Sequence, residues 1–299
     1  MPTSSSNSDQ GKIRIGISGW RYKPWRGTFY PEGLAQRQEL EYASRELNTI
    51  EINGTFYSLH RPNSFGEWYD STPEDFQFSV KGSRFITHIR RLKDVEIPLA
   101  NFFAQGLLRL QEKLGPFLWQ FPPNFKFDAE RMETFFAQLP RSQEEAAKLG
   151  RKHDAKMKGR SWLKVEKDRR LRHSVEIRNE SFVNEKFVAL LSKYDIELVK
   201  ADTVAWPLLM DLTSEFVYCR LHGSEELYAS GYSEEALEVW AKRVETWAQG
   251  GEVEDGRNAS LTKTHKRSAR DVFVYFDNDI KVRAPFDAQS LQARLSNPA

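Results

Sequence analysis

The feature that most constrains the fold is a regular alternation of short strand-like runs with longer segments of helical periodicity. Eight runs are rich in β-branched and aromatic residues and are bounded by turn-forming residues, which predicts strands. Most of the segments between them have apolar residues at helical spacing. The predicted strands are Ile13–Ser18, Thr49–Asn53, Phe76–Lys81, Phe117–Phe121, Ser174–Arg178, Ile196–Lys200, Phe216–His222 and Val272–Asp277.

Two helices have clear sequence signals. Leu99–Leu114 carries an apolar stripe that ends at Gly115-Pro116, and Ser233–Gln249 begins with an N-capping serine and ends at Gly250-Gly251. The connection between the sixth and seventh predicted strands is too short for a long helix. It is the one interruption in the pattern.

Eight strands alternating with helices predict a single-domain α/β protein, a (β/α)8 TIM barrel. We expect residues 1–11 to be a disordered tail, residues 12–299 to form the barrel domain, and residues 141–172 to be a basic insertion between strands 4 and 5. The remaining 256 residues match the ~250 typical of this fold. An open doubly wound sheet is the alternative, but Gly16–Trp20 is not the glycine-rich phosphate loop expected there.

The basic charge of the chain is confined to the insertion. Residues 141–172 contain 12 Lys and Arg against 5 Asp and Glu, whereas the net charge of the whole chain is only +2. The rest is therefore mildly acidic. A solvated, exposed insertion explains such a segment, and nucleic acid is the alternative partner that its cations would suit.

Other classes of protein are excluded or disfavoured by composition. Cys219 is the only cysteine, so an intrachain disulfide and a cysteine-built zinc site are excluded. No apolar run approaches the roughly 20 residues of a membrane span, and the first 11 residues lack the apolar core of a signal peptide. We expect an intracellular, cytoplasmic protein. The sequence does not indicate its oligomeric state.

Alternation along the strands predicts which side chains enter the barrel. In the second, fifth and seventh strands the apolar residues occupy one face and the polar residues the other. The apolar face must meet the helices, so the polar face points into the lumen, mostly at the C-terminal mouth where barrel active sites form. The inward set is Ser18, Thr49, Glu51, Asn53, Lys81, Gln120, Glu176, Arg178, Lys200, Tyr218, Arg220, His222 and Asp277.

Ordered motifs over residues 13–295 resemble those of the family called domain of unknown function 72, or YecE-like. They are GWRY at 19–22 with Trp25, FYP at 29–31, EINGTFY at 51–57, VK at 80–81 with Thr87-His88, GP at 115–116, QFPP at 120–123, VEIR at 175–178, RLHG at 220–223, and YFDND at 275–279 before Ala284-Pro285. The resemblance implies a (β/α)8 barrel and no established reaction. It also implies a fold similar to the endonuclease IV and xylose isomerase barrels, which is analogy and not evidence of activity.

The residues at the mouth suit acid–base chemistry on an anionic or sugar-containing ligand. The catalytic candidates are Glu51, Glu176, His222 and Asp277, since carboxylates and imidazole can exchange protons with a substrate. Cationic and aromatic side chains suit phosphate and ring recognition. The binding candidates are Trp20, Tyr22, Trp25, Asn53, Lys81, His88, Gln120, Arg178, Arg220 and Asn278.

Each of these assignments has a structural alternative. The charged set would also form a neutralising ion-pair layer, and some of the aromatic residues would pack in the core. We predict no cofactor. The less favoured alternative is that the four catalytic candidates together bind Mg²⁺ or Mn²⁺. No G-x-S-x-G motif occurs, and Cys219 should face the helices. Residues 223–232 form a candidate phosphate-facing lip.

Three functions remain open at this point. The first is a hydrolase of phosphoester or glycosidic bonds that uses Glu176 and His222 as acid and base. The second is a nucleic-acid-binding or nucleic-acid-processing barrel that uses residues 141–172. The third is a ligand-binding barrel without catalysis.

Overall fold

The computed structural model describes residues 10–223, 227–228, 230–261, 269–279 and 281–296. Most of the predicted tail, residues 1–9, lies outside them. The strands are β1 Ile13–Ser18, β2 Thr49–Ile52, β3 Gln77–Lys81, β4 Leu114–Gln120, β5 His173–Glu176, β6 Ile196–Leu198, β7 Lys200–Asp202, β8 Phe216–Leu221 and β9 Asp271–Phe276. The α-helices are α1 Glu39–Glu46, α2 Gly54–Tyr57, α3 Pro62–Asp70, α4 Glu96–Ala104, α5 Ala129–Ala137, α6 Gln143–Gly150, α7 Glu185–Lys193, α8 Glu234–Ala248 and α9 Ala284–Ser296.

The strands form one parallel sheet that curls into a barrel. Except for β6 and β7, strands adjacent in sequence pair with each other, and β1 pairs with both β2 and β9. The two ends of the sheet are β6, paired with β5, and β7, paired with β8. Only Val199 separates β6 from β7, so one stretch of chain joins these ends. The predicted barrel is confirmed, and the open sheet is excluded.

This joint divides the sixth predicted strand in two. The expected direction of one side chain in that strand, Lys200, is also different in the structure. Lys200 aligns with Cys219, whose side chain lies in the core between sheet and helices. The expectation that Lys200 faces the lumen is therefore wrong. Its Nζ instead contacts the Glu197 carboxylate and donates 2.9 Å hydrogen bonds to the carbonyl oxygens of Leu198 and Asp211.

Of the two predicted helices, one is confirmed and one is shorter than expected. Ser233 caps α8 by accepting a hydrogen bond from the Ala236 amide. The helix predicted over Leu99–Leu114 ends as α4 at Ala104, because Gly106 has a φ of 115° and a Cβ there would lie 2.5 Å from Pro62 Cα. A 3-10 helix, Leu107–Lys113, then leads directly into β4.

The basic segment 141–172 lies between β4 and β5 and is more closely packed than we expected. Its helix α6 packs against α4, burying Ala146 and Ala147, and Met157 is fully buried. The Trp162 amide donates to the carbonyl oxygen of Ala104 at 2.9 Å. The expectation of an exposed appendage is therefore wrong for this part of the segment, although most of its Lys residues remain exposed.

Two layers of apolar side chains hold the barrel together. The larger core lies between the sheet and the helices and includes Ile50, Ile52, Val175, Val217 and Leu221. A smaller cluster of Leu118, Val199, Ala201, Phe216, Tyr218, Phe273 and Tyr275 fills the lumen. The polar residues that end the strands lie above this apolar floor, at the C-terminal mouth.

Candidate functional site at the C-terminal mouth

The mouth is organised around Arg220, a fully buried arginine on β8. Its guanidinium contacts three carboxylates: Nη2 lies 3.0 Å from Glu51 Oε1 and 2.8 Å from Asp277 Oδ2, and Nη1 lies 2.6 Å from Glu176 Oε2. These carboxylates come from β2, from the residue after β9 and from the end of β5. The architecture that alternation predicted for these four side chains is thus present.

Glu51 lies deepest and has the most hydrogen bonds. Ser18 Oγ donates to Oε1 at 3.0 Å, and the Tyr218 hydroxyl donates to Oε2 at 2.6 Å. With the Arg220 contacts, both oxygens of this fully buried carboxylate are satisfied. Glu51 therefore serves as a fixed counter-ion for Arg220.

Glu176 and Asp277 are held in their charged forms. Burial alone raises the pKa of the Glu176 carboxyl, but the Arg178 and Arg220 guanidiniums outweigh burial and hold that pKa well below its usual range. Burial also raises the pKa of Asp277, but the Arg220 guanidinium and the nearby His222 bring it well below its usual value. Such carboxylates do not readily act as general acids near neutral pH.

His222 lies between two of these carboxylates. Its Nδ1 is 3.1 Å from Asp277 Oδ2, and its Nε2 is 3.5 Å from Glu176 Oε2. The ring centres of Trp206 and Tyr228 each lie 5.4 Å from the imidazole. These contacts bury His222 completely and fix its orientation.

Lys81 and Arg178 are the cations nearest to the opening. Arg178 is paired, with Nε and Nη2 both 2.7 Å from Glu176 Oε1, and it stacks 4.0 Å from the centre of the Trp206 ring. Lys81 has no ion pair or side-chain hydrogen bond within the described ranges, and its Nζ lies 4.8 Å from the centre of the Phe56 ring. Burial and the nearby Arg220 lower the pKa of Lys81 to about 8.

Two further groups at the mouth titrate outside their usual ranges. Burial and the nearby Arg178 and Lys81 lower the pKa of His88 to about 4, so its imidazole is neutral at physiological pH. Burial and the nearby Asp277 raise the pKa of Asp279 to about 6. Because Asp279 is only partly buried, its carboxyl is the one among these acids best suited to exchange protons with a ligand.

The predicted aromatic residues lie mostly below the surface of the mouth. Trp25 is fully buried, and Trp20 packs edge-to-face on Trp68 at 5.3 Å. Tyr22 is partly buried and donates its hydroxyl to the carbonyl oxygen of Ser18 at 2.6 Å. These positions favour packing for the two tryptophans, because the loop after β1 folds back onto the core.

Three other predicted residues are placed as follows. Gln120 aligns with Glu176 and enters the mouth, and Asn53 follows β2 on the side of Glu51. Asn278 turns away: its amide nitrogen donates to the Ser230 carbonyl oxygen at 2.9 Å and to Asp287 Oδ2 on α9 at 2.8 Å. Asn278 is thus placed to anchor α9.

Several residues that build the site are not among the predicted site residues. Alternation already places Tyr218, two residues before Arg220, on the inward face, but its hydrogen bond to Glu51 is visible only in the structure. Asp279 lies in a quoted motif, but nothing in its spacing signals a raised pKa. Trp206 lies in the irregular connection between β7 and β8, where no periodicity indicates which side chains turn inward.

Neither the metal alternative nor the phosphate-facing lip gains support from the contacts. Across the described ranges, no group of three or more His, Cys, Asp and Glu side chains is arranged to hold a metal ion. Ser224–Glu226 and Ala229 of the lip lie outside those ranges, and the Gly223 amide donates to the Tyr232 hydroxyl at 3.2 Å.

The same described part of the chain contains no helix long and apolar enough to cross a membrane.

Two cavities lie away from the mouth. One of about 300 Å³ is lined by Arg141, Arg170, Arg172 and Lys193, and the last three form ion pairs with acidic residues. The other, of about 1150 Å³, lies between α7 and the 210–214 and 252–261 segments. Neither touches the Arg220 cluster.

Comparison with known sequences identifies relatives of this chain. The profile of the family described as "Protein of unknown function DUF72" matches residues 14–299. The chain is 29% identical over 125 residues to UPF0759 protein YunF of Bacillus subtilis and 30% identical over 144 residues to UPF0759 protein YecE of Escherichia coli. These matches cover 40% and 42% of this chain but only 43% and 50% of the two relatives.

Solved structures show the same fold. A DUF72 family protein from Thermotoga maritima superposes with a TM-score of 0.71 at 24% identity, covering 96% of this chain and 100% of that one. Another from Enterococcus faecalis gives a TM-score of 0.66 at 18% identity, covering 96% of both chains. At these identities the likeness concerns the fold alone.

Proposed function

This chain belongs to the DUF72 family, and on that premise we propose that its barrel mouth binds a small anionic substrate and hydrolyses a phosphoester or glycosidic bond. The observation that carries this proposal is the Lys81 ammonium. The Lys81 residue is 9% exposed, and its ammonium lies at the mouth with no ion-pair partner among the described residues. Arg178 and Arg220 beside it are both paired with carboxylates.

A mostly buried lysine without a counter-ion is less favourable in its charged form, as the lowered pKa of Lys81 indicates, and a bound anion would relieve that cost. Removing a charged group from water is costly unless a counter-charge or hydrogen bonds replace the water. The three carboxylates closest to Arg220 are already occupied by guanidinium groups. An external phosphate or carboxylate group is therefore the partner that Lys81 lacks, with Arg178 as the second cation.

The acid–base step would use the groups that are free to titrate. Asp279, with its pKa raised to about 6, is the best-matched donor or acceptor of a proton near neutral pH. Glu51, Glu176 and Asp277 would hold Arg220 and His222 in place. His222, completely buried between Glu176 and Asp277, would keep these two carboxylates in position. In hydrolysis, a water adds to the phosphorus or anomeric carbon, its proton passes to a base, and the leaving oxygen takes a proton from an acid.

Anion binding is tested with one variant and one matched control. Isothermal titration with inorganic phosphate and with phenyl phosphate would compare wild type, Lys81→Met and Lys242→Met, in which the lysine replaced is an exposed one on α8. We expect Lys81→Met to weaken binding at least tenfold and Lys242→Met to leave it unchanged. Equal affinity in all three proteins would reject the assignment of Lys81 as the anion site.

Hydrolysis is tested separately with chromogenic nitrophenyl phosphate and nitrophenyl glycosides. We expect Asp279→Asn to abolish turnover while phosphate binding survives, because the proton-exchanging group is lost and the cations remain. Turnover by wild type that persists in Asp279→Asn would reject the acid–base role. If the wild type binds anions but hydrolyses none of these substrates, the barrel is a binding protein.

Nucleic acid is a second candidate ligand, favoured by one specific observation. Lys156, Lys158 and Lys164 are exposed and form no ion pair within the residues described, and Arg160 Nη2 donates to the Leu59 carbonyl oxygen at 3.3 Å. That contact places this part of the basic segment beside the loop after β2, on the mouth side of the barrel. A longer polyanion bound at the mouth would also contact these cations.

The salt dependence of binding decides this second candidate. A labelled single-stranded oligonucleotide would be titrated at several salt concentrations into wild type and a Lys156→Gln, Lys158→Gln, Lys164→Gln triple variant. Each lost phosphate contact should reduce the slope of log K against log salt by about 0.7. An unchanged slope, or no binding by wild type, would remove nucleic acid as a ligand of this segment.

A further inference from the structure

Two carboxamide oxygens at the mouth have no hydrogen-bond partner. Gln120 Oε1 and Asn53 Oδ1 are both buried and accept no hydrogen bond within the described part of the chain. The Gln120 side chain is deeply placed, with only 6% of the residue exposed. Buried acceptors normally find a donor, so such atoms at the open end of a barrel call for an explanation.

The nearest phenol does not supply Asn53 with a donor. The Tyr22 hydroxyl donates its proton to the Ser18 carbonyl oxygen at 2.6 Å, so it is not available to donate to Asn53. Asn53 Oδ1 is thus left without a partner. A ligand that meets this atom must present a hydrogen-bond donor.

Asn53, Lys81 and Gln120 lie on three neighbouring strands. The β2–β3 ladder ends at the Ile52–Val80 pair, which places Asn53 at the level of Lys81. Lys81 pairs with Leu118, and Gln120 lies two residues beyond Leu118 on the same face. Neighbouring strands are ~4.8 Å apart, so the row spans roughly 10 Å. That is the length of a small phosphorylated polyol.

We propose that the ligand of this mouth is an anion bearing hydroxyl groups, a sugar or polyol phosphate. This inference rests on the anion site proposed above. Lys81 takes the phosphate group, and Gln120 and Asn53 accept hydrogen bonds from hydroxyls on either side of it. Bare acceptor oxygens disfavour a second anionic group at these positions. They favour hydroxyl groups, which supply the missing donors.

The experiment separates recognition of hydroxyls from recognition of the anion. Isothermal titration would use ethyl phosphate, which has no hydroxyl, and glycerol phosphate and ribose phosphate, which have several. In wild type we expect ribose phosphate and glycerol phosphate to bind more tightly than ethyl phosphate. Each ligand hydroxyl that donates a hydrogen bond to Gln120 or Asn53 should tighten binding three- to tenfold. Gln120→Met should remove most of that preference and keep the affinity for ethyl phosphate, and the exposed Gln36→Met serves as control.

A stability measurement guards against a variant that merely misfolds. Gln120→Met replaces an unsatisfied buried oxygen by an apolar group of similar size, so the ligand-free variant should melt at a temperature equal to or above that of wild type. A lower melting temperature with no change in ligand preference would assign Gln120 a structural role and overturn the inference.

The outcomes distinguish the two proposals. Equal affinities of wild type for ethyl, glycerol and ribose phosphate overturn the hydroxyl inference and leave the anion site standing. Failure of all three to bind, or equal binding by Lys81→Met, removes the anion site and the inference with it. A preference for hydroxylated phosphates that survives in Gln120→Met and in Asn53→Leu overturns the assignment to these carboxamides.

Discussion

The Tyr218 hydroxyl donates a 2.6 Å hydrogen bond to Glu51 Oε2, joining β8 to β2 across the interior of the barrel. The same hydroxyl lies 2.5 Å from Ser79 Oγ on β3. Burial and the Glu51 charge raise the pKa of Tyr218 well above its usual value, so the hydroxyl stays protonated and keeps donating. The charged cluster at the mouth is thus tied to the apolar floor below it by one phenol.

Removing that hydroxyl should destabilise the protein. Tyr218→Phe leaves Glu51 Oε2 with one fewer donor, and a hydrogen bond to a charged group contributes about 1.5–3 kcal/mol. We expect the free energy of unfolding, measured by urea denaturation, to fall by that amount. Tyr57→Phe is the control, because Tyr57 is 70% exposed and its change should have little effect. Equal stability of both variants would show that Ser18 and Arg220 suffice to hold Glu51.

Glu176 should prove essential for stability whatever its role in catalysis. Glu176→Gln leaves Arg178 and Arg220 short of a counter-charge, and breaking a buried ion pair typically costs about 3–5 kcal/mol. Glu254→Gln, at an exposed site, should stay within about 0.5 kcal/mol of wild type. Urea titration of both variants measures the difference, and a Glu176→Gln protein as stable as wild type would contradict the ion-pair role.

The same carboxylate gives the protein a defined acid sensitivity. Because the pKa of Glu176 is lower in the folded than in the unfolded protein, its stabilising contribution is complete above its unfolded pKa of about 4.3. That contribution is lost as pH falls from there toward the folded pKa. We expect stability measured by urea denaturation between about pH 5 and pH 3 to fall less steeply in Glu176→Gln. Parallel curves for the two proteins would count against this linkage.

The charge on Lys81 should destabilise the folded protein, whereas the charge on Glu176 stabilises it. Its pKa is lowered from 10.5 to about 8, so the folded state disfavours the ammonium, and the charge destabilises the ligand-free protein below pH 8. Lys81→Met should therefore raise stability at pH 7, by at most about 3.4 kcal/mol at 1.36 kcal/mol per pKa unit. The gain should shrink as pH rises from about 8 to 10.5, where both states become neutral. Thermal melts at pH 7 and pH 10 measure this, and a destabilised variant at pH 7 would contradict it.

Asp279 should leave its own signature between pH 4 and pH 6. Its pKa is raised to about 6, so its ionisation weakens the folded state as pH rises from about 4 through 6. Asp279→Asn should be more stable than wild type at pH 7 and no more stable at pH 3.5. The carboxyl resonance in an NMR titration would give its pKa directly, and a value near 4 would withdraw Asp279 as the proton-exchanging group.

Sequence reasoning succeeded wherever a regular strand fixed side-chain direction. The positions of Glu51, Glu176 and Arg220 followed from period-two alternation, which holds as long as the register is unbroken. It failed at Lys200, whose charge suggested the lumen although it has the parity of Ile196 and Leu198, which face the helices. It also failed at Trp206, whose position depends on an irregular connection, and at Gly106, where tertiary packing overrode helical periodicity.

The wide separation of the Arg220 contacts along the chain has a consequence for the order of folding. Glu51 and Glu176 lie 169 and 44 residues before Arg220, and Asp277 lies 57 residues after it. A carboxylate cannot be withdrawn from water at little cost before its counter-charge is present. During synthesis Glu51 must therefore stay hydrated until Arg220 is present, whereas Glu176 already has Arg178 as one counter-charge. The mouth is completed only when β9 pairs with β8 on one side and with β1 on the other.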